Sequence, residues 1–595
     1  MKTYKLFFSL NIFLMLLNIT FATVPDPVTR QPAIPYLMEP IGFRTMQMAI
    51  FAPEVSGMVP DKFSDLSWNP AYILREKQKT FYIDFNLENS VTSSLNPLSS
   101  GILTDSYYLA PSWYSQTSVQ DINIAQLYNL ALILPLNKRM SLGIVNRSVF
   151  DYGPYRNSIW WTSGGWFDKA IESNSNIRYA DFEPQRLETD ENQQTVIANQ
   201  SEITLGYRLS TKTDLGLHLG HYIFHRDGYL LDSQWATHPH SSYGILNDED
   251  LEINGCHYDL GAGFLYHPDE KTTYGISVGA FFGSGQESEI AQDTSDSFSE
   301  TATNTAYYCL SEHTLNTDLT YKTSGVKPYL TLILEKKLNK NLVLRSSFSL
   351  TSKNQDVNTR YATDDTTFSD RTYNHWITDT TYAFRRYTAN SAAEFNLNGS
   401  GEESINQWKF MTALIYSLEN DWAFFGGVQI SRKWSQVDFD ERSNYYSNSF
   451  TEYSLYNAST YRNLDTYTKK YSYSQETKAW NLSVPIGVKA YLAKGFSVLL
   501  GTDINLTLYK ENSYSDLLYP NIVSKYWIND ALANDDPETN RYERYDSNPP
   551  KTLTRTNAVR FGMVYEHSSG AKLFIRSDGD IMNTNGWTLG FEMNW

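Results

Sequence analysis

The chain has 595 residues, of which 15% are aromatic and 19% charged, and a net charge of −17. That acidity leaves no general attraction for nucleic-acid phosphates, and two cysteines cannot hold together a chain of this length, so a nucleic-acid binder and a disulfide-stapled fold are both excluded. Apolar and aromatic residues run along the whole chain, which excludes disorder.

Residues 1–22 read as a secretory signal peptide. Lys2 and Lys5 give a basic start, Leu6 to Leu17 is almost wholly apolar, and Thr20 and Ala22 meet the small-residue rule for cleavage after Ala22. Beyond it no apolar run is long enough for a membrane helix. A secreted soluble protein and a membrane β-barrel, whose strands each carry only a weak alternating signal, stay open. Residues 23–78 form a leader before the first strand. Within it Ile41, Phe43, Met46, Met48, Ile50, Phe51 and Met58 are too apolar for a free periplasmic tail, so this segment is expected either to bury them in the lumen of a barrel or to act as a periplasmic docking arm.

From residue 79 a period-2 alternation recurs in pairs. Phe81, Ile83, Phe85 and Leu87 share one face of a first strand. Hairpins follow, with turns at Asn137–Lys138, Thr211–Thr213, Pro268–Lys271, Asn339–Lys340, Glu419–Asp421, Lys494–Gly495 and Ser569–Gly570. The last strand puts Trp587, Leu589, Phe591, Met593 and Trp595 on one face, with an aromatic at each end of a span of about 26 Å, about 20 Å of depth when tilted. Between the hairpins lie long polar stretches at 88–121, 151–199, 227–254, 285–320, 353–405, 434–478 and 510–555, expected to be extracellular loops. The opposite strand faces carry polar residues and glycine, as a wet lumen would. The reading is an all-β chain: residues 79–595 form a transmembrane antiparallel β-barrel of about 16 strands in a bacterial outer membrane. Its partners are then the outer-membrane lipid and, through the strand ending at Trp595, the barrel-assembly machinery.

Just before the first strand stands Asp65-Leu66-Ser67-Trp68-Asn69-Pro70-Ala71. Asn69-Pro70-Ala71 at this place, after a signal peptide, resembles the FadL-like outer-membrane transporters and the related PorV-like barrels. The resemblance implies 14 strands, a luminal hatch at Trp68, Asn69, Pro70 and Ala71, and passive passage of small hydrophobic molecules. It also implies a third strand kinked open toward lipid, where the polar break at Asn146 and Ser148 falls; an ordinary bulge reads the same. None of the family's ligand-binding residues can be matched here. The rival reading is a non-transporting barrel, an adhesin or a secretion-associated scaffold acting through its loops.

No nucleophile elbow, zinc-protease helix or phosphate loop is present, so no catalytic residue, cofactor or metal is assigned and the chain is not read as an enzyme. His221 and His225 share a strand face that His218 does not, so the three cannot converge on a metal without a bulge. Cys256 and Cys309 flank one hairpin and are expected either to pair or to be buried thiols. Trp160, Trp161, Trp166 and Phe167 form the densest aromatic cluster outside the strands and are the candidate contacts for a small hydrophobic ligand. Asp84, Arg147, Arg208, Asp259, Arg345, Lys409, Lys489, Asp503, Arg560, Glu566 and Glu592 fall on the lumen side with both signs present, which points to ion pairs rather than a selective ring. Closely spaced tyrosines over 445–473 suggest paired ladders above the membrane.

Overall fold

The computed structural model describes residues 58–86, 128–153, 191–238, 241–300, 308–378, 381–418, 422–454, 458–577 and 587–595. A short helix α1 (Ser64–Trp68) and a 3₁₀ turn (Pro70–Arg75) precede β1 (Thr80–Asn86), β2 (Tyr128–Pro135), β3 (Met140–Gly153), β4 (Glu191–Ser210), β5 (Thr213–His238) and β6 (Ser241–Tyr266). Then come β7 (Thr272–Glu300), β8 (Tyr308–Lys337), β9 (Leu342–Thr378), β10 (Thr381–Leu418), β11 (Trp422–Ser454), β12 (Ser459–Ala493) and β13 (Phe496–Ile528). The chain ends with β14 (Ala531–Glu538), β15 (Arg541–Ser547), β16 (Thr552–Glu566), β17 (Ala571–Ser577) and β18 (Trp587–Asn594).

All 18 strands belong to one sheet. Each pairing is antiparallel, and β1 pairs with β2 on one side and β18 on the other, so the sheet closes. Because β14, β15 and β16 all lie along β13, they are successive pieces of one interrupted strand. The 18 pieces therefore make 16 barrel strands among the described residues, not the 14 that the resemblance implied. The turns at Asn137, Asn339 and Ser569–Gly570 sit where the alternation breaks. Asn137 Oδ1 accepts from the Met140 amide at 3.0 Å, Asn339 Oδ1 from the Asn341 amide at 2.8 Å, and Gly570 takes a φ of 87° open to glycine. The turn at Glu419–Asp421 lies outside the described residues.

One face of the alternation is exposed: Ile203, Leu217, Leu260, Ile276, Phe410, Leu414, Ile430, Ile486 and Leu589 all point away from the lumen. Aromatic residues bound this belt eight residues apart on separate strands, as Tyr258 and Tyr266, Trp408 and Tyr416, and Trp587 and Trp595. Eight steps give about 26 Å of strand, or about 20 Å of depth at a tilt near 40°. A sheet with no open edge and an apolar belt of this height is the form in which β-structure spans an outer membrane.

The expected loops 227–254, 285–320, 353–405, 434–478 and 510–555 are for the most part not loops. They are the outer halves of β5 to β15. β9 and β10 reach 37 and 38 residues. From Trp408 back to Thr381, β10 continues for about 90 Å beyond the belt. These stretches read as loops because both faces are largely polar, which weakens the alternation. What holds them is the ladder plus ring contacts: Tyr445 stacks on Tyr467 at 4.9 Å, and Tyr461 meets Tyr453 at 5.7 Å and Tyr526 at 6.1 Å. Inside, Tyr361, Phe395 and Leu397 pack together as a small second core. β3 pairs with β4 over Met140–Gly153 and with β2 over Ser141–Ser148, with no register shift in either. An opening of β3 toward lipid is therefore not seen over the described pairs, which include Asn146 and Ser148. Its polar break is closed across strands instead: Asn146 Nδ2 donates to Ser201 Oγ at 2.9 Å, and Tyr128 donates to Asn146 Oδ1 at 3.0 Å.

Candidate functional site

The main candidate site is the lumen at the turn end of the barrel, where residues 58–75 pack. Its shape begins with local hydrogen bonds. Asp61 Oδ1 accepts from the amides of Phe63 (3.0 Å) and Ser64 (2.8 Å), which starts α1. Asn69 then turns to extended geometry (φ −155°, ψ 118°), as a residue before proline must. Asn69 Oδ1 accepts from the Ala71 amide at 3.0 Å, and Pro70 opens the 3₁₀ turn. The Asn69 amide also donates outward, to the carbonyls of Phe264 (3.3 Å) and Ile276 (3.0 Å) on β6 and β7. Asn69 is fully buried, so this side chain both caps the turn and fastens it to the wall.

The wall is cut to fit. Gly206, Gly216 and Gly263 stand directly opposite one another on β4, β5 and β6. A Cβ on Gly216 would lie 2.3 Å from the Ala71 nitrogen, one on Gly206 2.4 Å from Ile73 Cγ2, and one on Gly263 2.1 Å from Asn69 Oδ1. Inward glycine on these strands is thus a cradle for residues 69–73, not the lining of a wet lumen. Met58, Phe63, Leu66, Ala71, Tyr72 and Ile73 are buried with inward-facing Tyr82, Ile133, Leu265, Met411, Phe425, Leu499 and Phe574 from around the barrel.

Charge completes the fastening. Arg345 on β9 is 0% exposed and grips Asp65 with two nitrogens, at 3.2 and 3.0 Å. It also meets Glu335 at 3.3 Å, and Glu335 in turn holds Arg75 at 3.0 Å. The Arg345 guanidinium lies 4.4 Å from the centre of the Trp68 ring, and Arg75 lies 4.0 Å from that of Tyr72. Two cations and two carboxylates make a neutral quartet, the condition for burying charge. Burial pushes the Asp65 carboxyl up to about 6, with Arg345 pulling against it. Elsewhere Lys62 pairs with Glu592 at 3.2 Å, and Arg208 pairs with Asp214 at 2.9 Å while donating to the Leu74 carbonyl at 3.0 Å.

Past this core the lumen side is crossed by further pairs: Arg147 with Glu202 (3.2 Å), Arg560 with Asp503 (2.6 Å), His218 with Asp259 (3.5 Å) and Arg576 with Asp84 (3.9 Å). Most of the mixed lumen charge is thus resolved as ion pairs; Lys489 instead lies 4.9 Å from the centre of the Tyr491 ring. The strand face does separate the histidines. His221 stacks on Tyr258 at 4.9 Å on the outside. Beyond it, His225, Asp227 and Glu252 bring ligand atoms within 4.8 Å, but both His225 nitrogens are already used, by Asn254 and Asp227, at 2.7 Å each.

The sequence singled out Trp68, Asn69, Pro70, Ala71 and Arg345, and the structure brings them together. Asp65, Arg75, Glu335 and the glycine row went unassigned. Their signal was an acid beside the Asn-Pro-Ala segment and glycines recurring on lumen parity. Trp160, Trp161, Trp166 and Phe167 lie outside the described residues. The pairing of Cys256 with Cys309 is corrected: β7 places Cys256 opposite Ser284 and Cys309 opposite Ser299, fifteen positions apart along one strand. That is about 50 Å, far beyond disulfide reach. Cys256 is a free, exposed thiol rather than a buried one.

No known family matches the chain, and no curated protein does. Among solved structures it is similar to a FadL homologue of Pseudomonas aeruginosa (9% identity over 92% of this chain and 98% of that one, TM-score 0.29). It is also similar to the Ralstonia pickettii toluene transporter TbuX (11%, 80% and 98%, TM-score 0.31) and to the monoaromatic hydrocarbon channel CymD (10%, 78% and 91%, TM-score 0.26). Likenesses this distant transfer neither ligand nor mechanism.

Proposed function

We propose that this chain is a passive outer-membrane channel for small hydrophobic molecules, with residues 58–75 as the hatch that closes it. The observation that carries the reading is the mode of attachment. The segment packs against inward-facing wall residues, and among the described residues it is held there by apolar contact, a few hydrogen bonds and the Arg345 quartet, with no disulfide to the wall. Such a set can be broken and re-formed. Apolar inward residues such as Ile133, Met411, Phe425 and Leu499, uncovered when the segment shifts, would give an apolar ligand a surface to follow. Capture at the outer end falls to the aromatic cluster Trp160, Trp161, Trp166 and Phe167.

Planar-bilayer conductance tests this directly. Deleting residues 40–66 removes Asp65 and α1's first half and is expected to raise conductance while the barrel stays heat-modifiable. A folded deletion protein that conducts like the wild type would refute the hatch.

A second reading has its own support. Strands that continue about 90 Å past the belt form more surface than a channel needs, as an adhesin or a scaffold for secreted proteins would. Trimming the β9–β13 extension while retaining the belt separates the two: a channel keeps its uptake, whereas a scaffold loses its partners.

A further inference from the structure

The outer rim of the belt is chemically uneven. Over β9 to β13 two neighbouring rows of side chains face outward at the level where apolar residues give way to polar ones. In the inner row Trp408, Arg432 and Trp480 stand opposite one another on β10, β11 and β12. In the next row outward Trp434, Lys478 and Lys510 do the same on β11, β12 and β13. In a chain of net charge −17 this is a local reversal of sign. Lys478 is balanced by Glu476 at 2.6 Å, but Lys510 makes no ion pair among the described residues and sits directly opposite Lys478. Like charges in directly opposed positions destabilise a sheet unless an anion lies between them.

Arg432 adds two observations. Its guanidinium lies 5.3 Å from the centre of the Trp480 ring, held in place by that contact, and Trp480 meets Trp408 edge-on at 5.6 Å. Its Nε is buried without a hydrogen-bond partner. A cavity of about 480 Å³ opens beside it, with Trp408, Arg432 and Trp434 in its wall together with Leu350 and the polar Ser352 and Asn406. Below it the surface is continuous with belt residues such as Phe410 and Ile430.

We infer that this face of the barrel is a binding site for a phosphorylated glycolipid of the outer leaflet. Phosphate would lie against the opposed Lys478 and Lys510, with the Arg432 guanidinium in the neighbouring row adding positive charge beside the cavity. A sugar ring would rest on the face of Trp434, and the acyl chains would follow the belt toward Phe410 and Ile430. A free phosphate would use only the cations. The continuity of cations, tryptophans and apolar belt favours a ligand carrying all three parts. The site is on the lipid side of the wall and does not depend on whether the lumen conducts.

Native mass spectrometry of the full chain released from detergent tests this, with diphosphoryl lipid A, monophosphoryl lipid A and phosphatidylglycerol as probes. Diphosphoryl lipid A is expected to bind most tightly and monophosphoryl lipid A more weakly. K510Q, which breaks no ion pair, is expected to weaken binding about tenfold, and R432Q/K478Q/K510Q further still. K494Q, at a tight turn on the other side of the membrane, should bind as wild type. Equal binding of phosphatidylglycerol, displacement by millimolar inorganic phosphate, or unchanged binding by a heat-modifiable triple variant would each overturn the site.

Discussion

Asp65 and Arg345 stand 280 residues apart in sequence and meet through two hydrogen bonds in the lumen, both side chains buried. One belongs to the leader and the other to the wall, so this contact measures whether the leader is docked. Removing one member strands the other as a buried charge, which typically costs about 3–5 kcal/mol, whereas replacing both with apolar groups is often neutral. Arg345→Met should therefore release residues 58–75 and raise conductance in a folded barrel. Asp65→Leu combined with Arg345→Met should bring conductance back toward wild type. A double variant as leaky as the single one would show that the pair does not couple leader to wall.

The glycine cradle makes a steric prediction. Gly216→Ala places a methyl 2.3 Å from the Ala71 backbone, which has no side chain to swing aside. Overpacking of this kind costs about 1–3 kcal/mol, and here the docked leader bears it. Limited proteolysis should cut within 58–75 faster in this variant. Gly426→Ala, where nothing lies within 4 Å, is the matched control and should leave the cleavage rate unchanged.

Docking should depend on pH with a definite sign. The docked Asp65 carboxyl titrates near 6, above its ordinary 3.8, and burial raises Glu76 in the same direction. The docked leader thus takes up protons in that window, so docking is strengthened as pH falls and weakened as pH rises through about 6. Arg345 is not stranded by that protonation, because Glu335 at 3.3 Å still faces it, so bilayer conductance should be lower near pH 5 than near pH 7, and Asp65→Asn should flatten the slope. A wild-type conductance that climbs on acidification would reverse the assignment.

Cys256 should react with a maleimide on the untreated protein, without prior reduction, because it is an exposed free thiol. Electrophoretic mobility should be the same with and without reductant. Protection of Cys256 until reductant is added would contradict the strand register.

Period-2 alternation decided much by itself. Leu217, Leu260, Phe410 and Leu589 had to face lipid because a strand turns every second side chain the same way, and the turns at Asn137 and Asn339 carry their own side-chain chemistry. Sixteen strands followed from counting those turns. The Asn-Pro-Ala segment could be placed because its apolar neighbours needed somewhere to be buried. Three things were decided only by the closed sheet. The outer halves of β9 to β13 are largely polar on both faces, so apart from the tyrosines over 445–473 little along the chain distinguishes a paired strand from a loop there; partners supply the order. Gly206, Gly216 and Gly263 are scattered in sequence and become a cradle only when register sets them side by side. Asp65 finds Arg345, and Cys256 misses Cys309, because register along neighbouring strands, rather than distance along the chain, determines which side chains can touch.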